Sequence, residues 1–176
     1  LTPQGGRLDG KILAAKVNGV PMDLFHALDQ DASVEPLTFE SAEGREVYRH
    51  SSTHIMAQAV KEVFPSAQLT IGPALDDGFY YDFAFDRPFT PEDLEKIEAR
   101  AIEITKRGLT VSRSELSKED AIKFFQDRGE AYKVELINSF DDGSPISLYR
   151  QGEFVDLCRG PHLPTARRLE LADLAE

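Results

Sequence analysis

Tyr149-Arg150-Gln151-Gly152-Glu153-Phe154-Val155-Asp156-Leu157-Cys158-Arg159-Gly160-Pro161-His162 is the stretch from which the rest of the chain is best approached. It predicts a hairpin, with strands over residues 146–150 and 153–158 joined at Gln151-Gly152. Along the second strand side chains alternate, so Phe154, Asp156 and Cys158 share one face while Val155 and Leu157 take the other. Arg159-Gly160-Pro161 then breaks the strand and turns the chain. The turn offers His162 back to the face that carries Cys158. A thiol, a carboxylate and an imidazole are thereby directed to one side.

The spacing of four between Cys158 and His162 recurs in His50-Ser51-Ser52-Thr53-His54. Residues 46–64 predict a helix stopped by Pro65, and four residues make about one turn, so the two imidazoles stack on one face. At about 100° per residue, Tyr48, Ile55, Met56, Ala59, Val60 and Val63 gather on one side. His50, His54, Ala57 and Lys61 fall nearly opposite, which takes the imidazoles out of the apolar stripe. One pair on a helix and another at a strand end can meet across a cleft. The bland alternative is a solvated histidine pair and an ordinary buried thiol.

Working outward, residues 68–85 predict a second hairpin, with runs over 69–71 and 79–85 turning at Asp76-Asp77-Gly78. Thr90-Pro91-Glu92-Asp93 opens a helix with a threonine cap, proline in the first turn and acids against the positive helix end. Leu94, Ile97, Ala101 and Ile104 form its apolar face, and Gly108 ends it. A shorter helix starts at Ser117, carries Ala121, Ile122, Phe124 and Phe125, and closes at Gly129. Lys133, beside Tyr132, reads equally well as a strand-edge charge or as a functional residue. Toward the start, residues 15–17 and 20–25 flank Asn18-Gly19, a hairpin signal, and residues 34–39 add a strand. This part shows no chemistry, and His26 is expected to be a surface or structural residue. Helices and strands mix without strict alternation, which predicts an α+β fold. Two parts are expected, a small β-rich one over residues 1–42 and a larger α+β one with an antiparallel sheet and packed helices over 43–176.

The chain has 176 residues, enough for a sizeable core, and its 41% hydrophobic content is that of an ordinary globular protein. No segment reaches the apolar length of a membrane span. Leu1-Thr2-Pro3-Gln4-Gly5-Gly6 has neither a basic leader nor an apolar signal core, and without an initiator methionine the chain is expected to be a piece of a longer one. The single cysteine excludes an internal disulfide framework and fits a reducing cytoplasm. A net charge of -11 argues against a freestanding nucleic-acid binder, because such a surface repels phosphate at long range. Any nucleic acid would be gripped by other domains, with only its end entering here. DNA and membranes are not expected partners.

Three chemistries suit the quartet. Three imidazoles and a thiolate can hold tetrahedral zinc. Histidine can instead activate water without a metal, its pKa lying near neutrality, while Asp156 orients an imidazole or holds an amino group. Cys158 could act as nucleophile with His162 as base, although an activated ester needs no covalent step when water is well placed.

The chain resembles the threonyl-tRNA synthetase family. The likeness runs through residues 48–54, Ile71-Gly72-Pro73, Asp77-Gly78-Phe79-Tyr80-Tyr81-Asp82-Phe83, Gly129-Glu130-Ala131-Tyr132-Lys133, and residues 148–162. It implies the bacterial form of the editing domain, related to one in alanyl-tRNA synthetases and their freestanding deacylases, which hydrolyses serine from mischarged threonine tRNA. It makes His50, His54, Cys158 and His162 the site quartet and Lys133 a catalytic lysine. Asp156 becomes the carboxylate that reads the amino acid, Tyr81 a pocket tyrosine and Tyr149 a pocket wall. Taken without the resemblance, Tyr81 alternates with Phe79, Phe83 and Phe85 and would be core packing.

Residues 1–42 resemble the second half of the TGS domain that precedes the editing domain. The implied partners are the tRNA 3′ end carrying a seryl ester and the rest of the synthetase in cis. Editing in the bacterial threonyl enzymes needs no cofactor; ATP, magnesium and zinc belong to the aminoacylation core, which this sequence lacks. The alanyl relatives bind zinc with similar spacing, so His50, His54, Cys158 and His162 are also the alternative zinc ligands. Two other functions stay open: a zinc-dependent trans-acting deacylase and a non-catalytic interaction module.

Overall fold

Asn18 and Gly19 turn the chain with φ of 49° and 86°, the pair of positive values that a tight two-residue hairpin uses. They join β1 (Ile12–Val17) to β2 (Val20–Met22). The computed structural model describes residues 10–75, 77–141, 143 and 145–169. β3 (Val34–Thr38) lies antiparallel on the other side of β1, giving the order β2-β1-β3. The expected strands are present, although the second stops at Met22 instead of running to Phe25. The expectations for Leu1 to Gly6 and for Asp76 fall outside the described residues.

The next element is the long helix α1 (Ala42–Val63). It starts before the expected residue 46, because the Ser41 hydroxyl accepts from the Gly44 N–H and caps it there. It stops at Phe64, just ahead of Pro65, as the sequence predicts. β4 (Gln68–Leu69) and β5 (Phe83–Ala84) pair antiparallel. Their ladder is short, and Thr70, Ile71 and Asp82 extend it by backbone hydrogen bonds toward an irregular tip. α2 (Pro91–Arg107) has a complete capping box between Thr90 and Asp93 and ends at Gly108. Leu94 does not join its apolar face and is 56% exposed, since Asp93 takes the buried place in that first turn, bonded to the cap and to Arg87.

Beyond α2 come β6 (Val111–Leu116), α3 (Lys118–Gln126), α4 (Ala131–Asn138), β7 (Ile146–Gln151) and β8 (Phe154–Leu157). β6, β7 and β8 form an antiparallel sheet in that order. A short 3₁₀ turn, Ala166–Arg168, follows. The four helices and the antiparallel sheets make an α+β fold.

α1 is buried on two sides. Val47, Tyr48, Ile55, Ala59 and Val60 pack with Leu13, Ala14 and Leu37 of the first sheet and with Ile97, Ala101 and Ile104 of α2. On its other side Ala57 packs with Leu69, Tyr81 and Phe154. The face predicted to lie outside the apolar stripe is therefore covered, and residues 51–55 are all buried. A further core joins Ala121, Phe125 and Ile137 of α3 and α4 to Ile146 and Leu148 of β7. Polar ties fix the seams. Glu62 accepts from Arg107 at 2.8 and 2.9 Å and from Arg100 at 3.0 Å, joining α1 to α2. Gln151 donates to Gln58 at 2.6 Å, joining β7 to α1. Lys16 pairs with Glu43, and Arg168 donates to the Ile12 carbonyl, so the first sheet is bound to both α1 and the last turn. No helix of the described residues is long and apolar enough to cross a membrane.

Ile104 is 0% exposed at the α1–α2 seam. Ile104→Ala should cost about 2–5 kcal/mol of unfolding free energy, read as a lower urea midpoint with an unchanged slope.

Candidate active site

α1 places His50 and His54 one turn apart, facing the end of β8. There Cys158 follows the strand, and the chain turns through Gly160 to His162. Cys158 Sγ lies 3.1 Å from His50 Nε2 and 3.1 Å from His162 Nε2. The His162 ring sits between the other two, with centroids 4.2 Å from His50 and 4.1 Å from His54. One ligand atom from each of the four residues falls within 4.8 Å of the others. The two distant stretches do meet.

Hydrogen-bond roles can be assigned around the thiol. Ser51 spends its only proton on the Val47 carbonyl at 2.8 Å, so at 3.2 Å it must accept from His162 Nδ1. His162 Nε2 is left with a lone pair facing Cys158. Cys158 Sγ also accepts the Gly160 N–H at 3.3 Å, and its own proton can go to His162 Nε2.

Beside the quartet, Asp156 is 2% exposed and paired. Its Oδ1 lies 2.7 Å from Lys133 Nζ and accepts the Leu157 N–H at 2.7 Å. Its Oδ2 accepts the Tyr81 hydroxyl at 2.7 Å, and His54 Nε2 stands 3.9 Å away. Lys133 has three N–H bonds and three acceptors: Asp156, the Thr70 carbonyl at 2.7 Å and Tyr81 at 3.1 Å. It lies on α4 and is 2% exposed, not at a strand edge. The eight residues of α4 carry no capping side chain, so nothing in the sequence marked a helix there. Tyr81 packs in the core, stacked on Phe83 at 4.8 Å, while its hydroxyl serves the site.

An open cleft of ≈ 970 Å³ runs along this cluster, walled by His50, His54, Tyr81, Lys133, Asp156 and Cys158. His162 and Tyr149 do not line it. His162 is 1% exposed and backs the other imidazoles. Tyr149 packs its ring edge-on against His162 at 4.5 Å, so it stands behind the site and is not the cleft wall expected for it. Its hydroxyl donates at 2.7 Å to Asp23, which comes from the part in which the sequence showed no chemistry. Asp23 and Ser51 are the polar residues that sequence inspection missed. The only sign of Asp23 was a carboxylate interrupting the run Val20-Pro21-Met22-Asp23-Leu24-Phe25. His26 is exposed, as expected.

A family profile described as the threonyl and alanyl tRNA synthetase second additional domain matches residues 146–171, which include β7, β8 and the turn from Cys158 to His162. A threonine–tRNA ligase of Acidithiobacillus ferrooxidans is 56% identical over 161 residues, 92% of this chain and 25% of that protein. One from Symbiobacterium thermophilum is 52% identical over 166 residues, 94% of this chain and 26% of the relative. One from Azoarcus sp. is 51% identical over 172 residues, 98% and 27% of the two lengths. The chain belongs to the threonine–tRNA ligase family. It spans about a quarter of the length of these relatives. The likeness covers nearly the whole of the present fold, α1 with its two histidines included.

Burial sets the charge states. It pushes His54 down to about 3, against the pull of Asp156, and holds His162 well below its ordinary range. His50, partly open to the cleft, is lowered by burial and supported by Asp156 and the Pro161 carbonyl. All three imidazoles are therefore neutral at pH 7 and can accept protons or bind a metal. Burial lifts the Cys158 thiol to about 12, so without a metal it is not a thiolate nucleophile. Burial would also raise Asp156, but Lys133, then His54 and Tyr81, bring it below the usual carboxylate range.

These shifts fix a pH dependence. A histidine whose folded pKa is depressed binds more protons when unfolded, so its stabilising effect is complete above about 6.5 and is lost as pH falls toward the folded value. The metal-free protein should lose melting temperature as pH falls from about 6.5 to about 5, before ordinary carboxylates contribute. His54→Gln should flatten that slope, as followed by circular dichroism.

Proposed function

We propose that this chain carries the editing site of a threonyl-tRNA synthetase, which hydrolyses serine wrongly esterified to threonine tRNA. The supporting observation is the convergence of His50, His54 and Cys158 with the Lys133–Asp156 pair on one cleft wall. In this proposal residues up to about 42 are the later part of a TGS-like domain, and the editing domain runs from 43 onward. The protein acts in the cytoplasm, in cis with the parts of the synthetase that grip the tRNA, as its own net charge of -11 requires.

Serine differs from threonine by one methyl group, which a synthetic pocket can use for only about 1–3 kcal/mol of discrimination. A second site must then remove the error. A carboxylate has about four lone-pair positions, and Lys133, Leu157 and Tyr81 use three on Asp156. The fourth, on Oδ2 toward His54, takes the substrate's α-ammonium. His50 is neutral and open to the cleft, so it orients a water and accepts its proton as the water oxygen attacks the ester carbon. The ester bond to the ribose oxygen breaks, and that oxygen receives the proton. Lys133 has its N–H bonds committed, so it acts by holding Asp156 and by setting positive charge beside the developing oxyanion. His54 and Cys158 shape the wall, and His162 and Tyr149 support it from behind.

His50→Ala and Lys133→Ala should each lower hydrolysis of seryl-tRNA by at least about 100-fold, and in a full-length enzyme should leave threonine charging intact. Serine release that survives the double substitution would remove the assignment.

The gathering of three imidazoles and a thiol within 4.8 Å favours a second possibility, a metal-dependent deacylase. The donor set fits zinc, which would be held by His50, His54, Cys158 and His162 and would act as a Lewis acid toward the ester or a bound water. Four protein donors are the number in structural zinc sites, so this Lewis-acid chemistry would require a fifth coordination position. Assays of seryl-, threonyl- and alanyl-tRNA, with metal content measured before and after chelation, separate the cases. Serine release should persist after chelation. Stoichiometric zinc whose removal abolishes release would establish the metal-dependent enzyme, and three intact esters would leave a binding module.

A further inference from the structure

Asp23 follows β2, on the side of the molecule that carries the first sheet. It is 7% exposed. Its Oδ1 accepts the His162 backbone N–H at 2.7 Å and its Oδ2 accepts the Tyr149 hydroxyl at 2.7 Å. Tyr149 in turn packs against the His162 ring and lies directly under Gly160. Gly160 has φ of 71°, and a Cβ there would collide with the Tyr149 hydroxyl, so the turn can pass over the phenol only as glycine. One carboxylate thus grips both the backbone of the Cys158–His162 turn and the phenol on which the turn rests. Arg113, His26 and Cys158 also interact electrostatically with Asp23.

We propose that Asp23 is a positioning residue. By holding the His162 backbone and the Tyr149 phenol, it sets the place of the His162 imidazole between His50 and His54. The β-rich part is then a working component of the site. The effect on hydrolysis rests on the editing function proposed above, whereas the effect on His162 itself does not.

Aspartate and alanine differ here in a way asparagine partly repairs. Asp23→Ala leaves two buried donors without acceptors. Asp23→Asn keeps a carbonyl for the His162 N–H, and its amide can donate to the Tyr149 oxygen. The test compares the whole chain with Asp23→Ala, Asp23→Asn and Tyr149→Phe, labelled with ¹⁵N and held at a temperature at which each is folded. In Asp23→Ala the His162 amide should exchange with solvent at least about tenfold faster, as losing one such bond implies. The His162 ring signals should shift, while β1 amides stay unchanged. With the same substitutions in a full-length enzyme, serine release per folded molecule should fall about 10–100-fold in kcat with KM within about twofold, and Asp23→Asn should recover most of it. Should Asp23→Ala not fold, Tyr149→Phe must still move the His162 ring signals, and Asp23→Asn must stay close to the wild type. His162 exchange and ring signals unchanged in Asp23→Ala, or in Tyr149→Phe where only that variant folds, would overturn the proposal. So would activity losses that merely follow stability in both Asp23 variants. A full-length wild-type enzyme that releases no serine would instead sink the editing function and leave the His162 measurements to decide this one.

Discussion

A carboxylate buried as deeply as Asp156 has to be neutralised where it sits, and much of the site follows from that requirement. Its partners come from separate elements: Lys133 from α4, Tyr81 from the segment before β5, and Leu157 from its own strand. Lys133 also binds the Thr70 carbonyl, so the pair draws the β4 end onto α4. Buried ion pairs contribute little net stability compared with apolar packing, but losing one partner is costly because the other is left uncompensated. The cluster therefore does more to fix relative positions than to strengthen the fold.

The site has two layers with different duties. On the cleft wall are groups that can exchange protons or bind charge, and behind it are groups whose hydrogen bonds are all used within the protein. Ser51, Tyr149 and Asp23 belong to the rear layer, each placed to restrict a freedom of His162: its tautomer, its ring plane and its backbone. Rigid support of this kind is what a reaction site needs when water, a weak nucleophile, must be held in register with an ester. The same rigidity suits a metal cluster.

How much of this was legible in sequence depended on the range of the interactions. The i,i+4 histidines, the capped α2, the Asn18-Gly19 turn and the β7–β8 hairpin are local patterns, and each was visible. β6 was missed because Ser112, Arg113, Ser114 and Glu115 are all exposed and leave no alternation to detect. α4 was missed because it is short and uncapped. Leu94 was misplaced because periodicity cannot tell where a partner stops covering a helix. Asp23 illustrates the deeper limit: its partners lie at positions 149 and 162, and nothing in its neighbours announces them. The two parts read on either side of residue 43 are also joined in a way sequence does not announce, since Leu13, Ala14 and Leu37 share one core with α1 and α2.

α1 serves two clients at different points along its length. His50 and His54 address the cleft, and Glu62, two turns or so further on, is clamped by Arg100 and Arg107 of α2. Each residue advances a helix by about 100° and 1.5 Å. A single insertion or deletion between His54 and Glu62 would swing one client out of phase while the other stayed in place. Over that span residue count is the constrained quantity, and composition can drift far more freely than length.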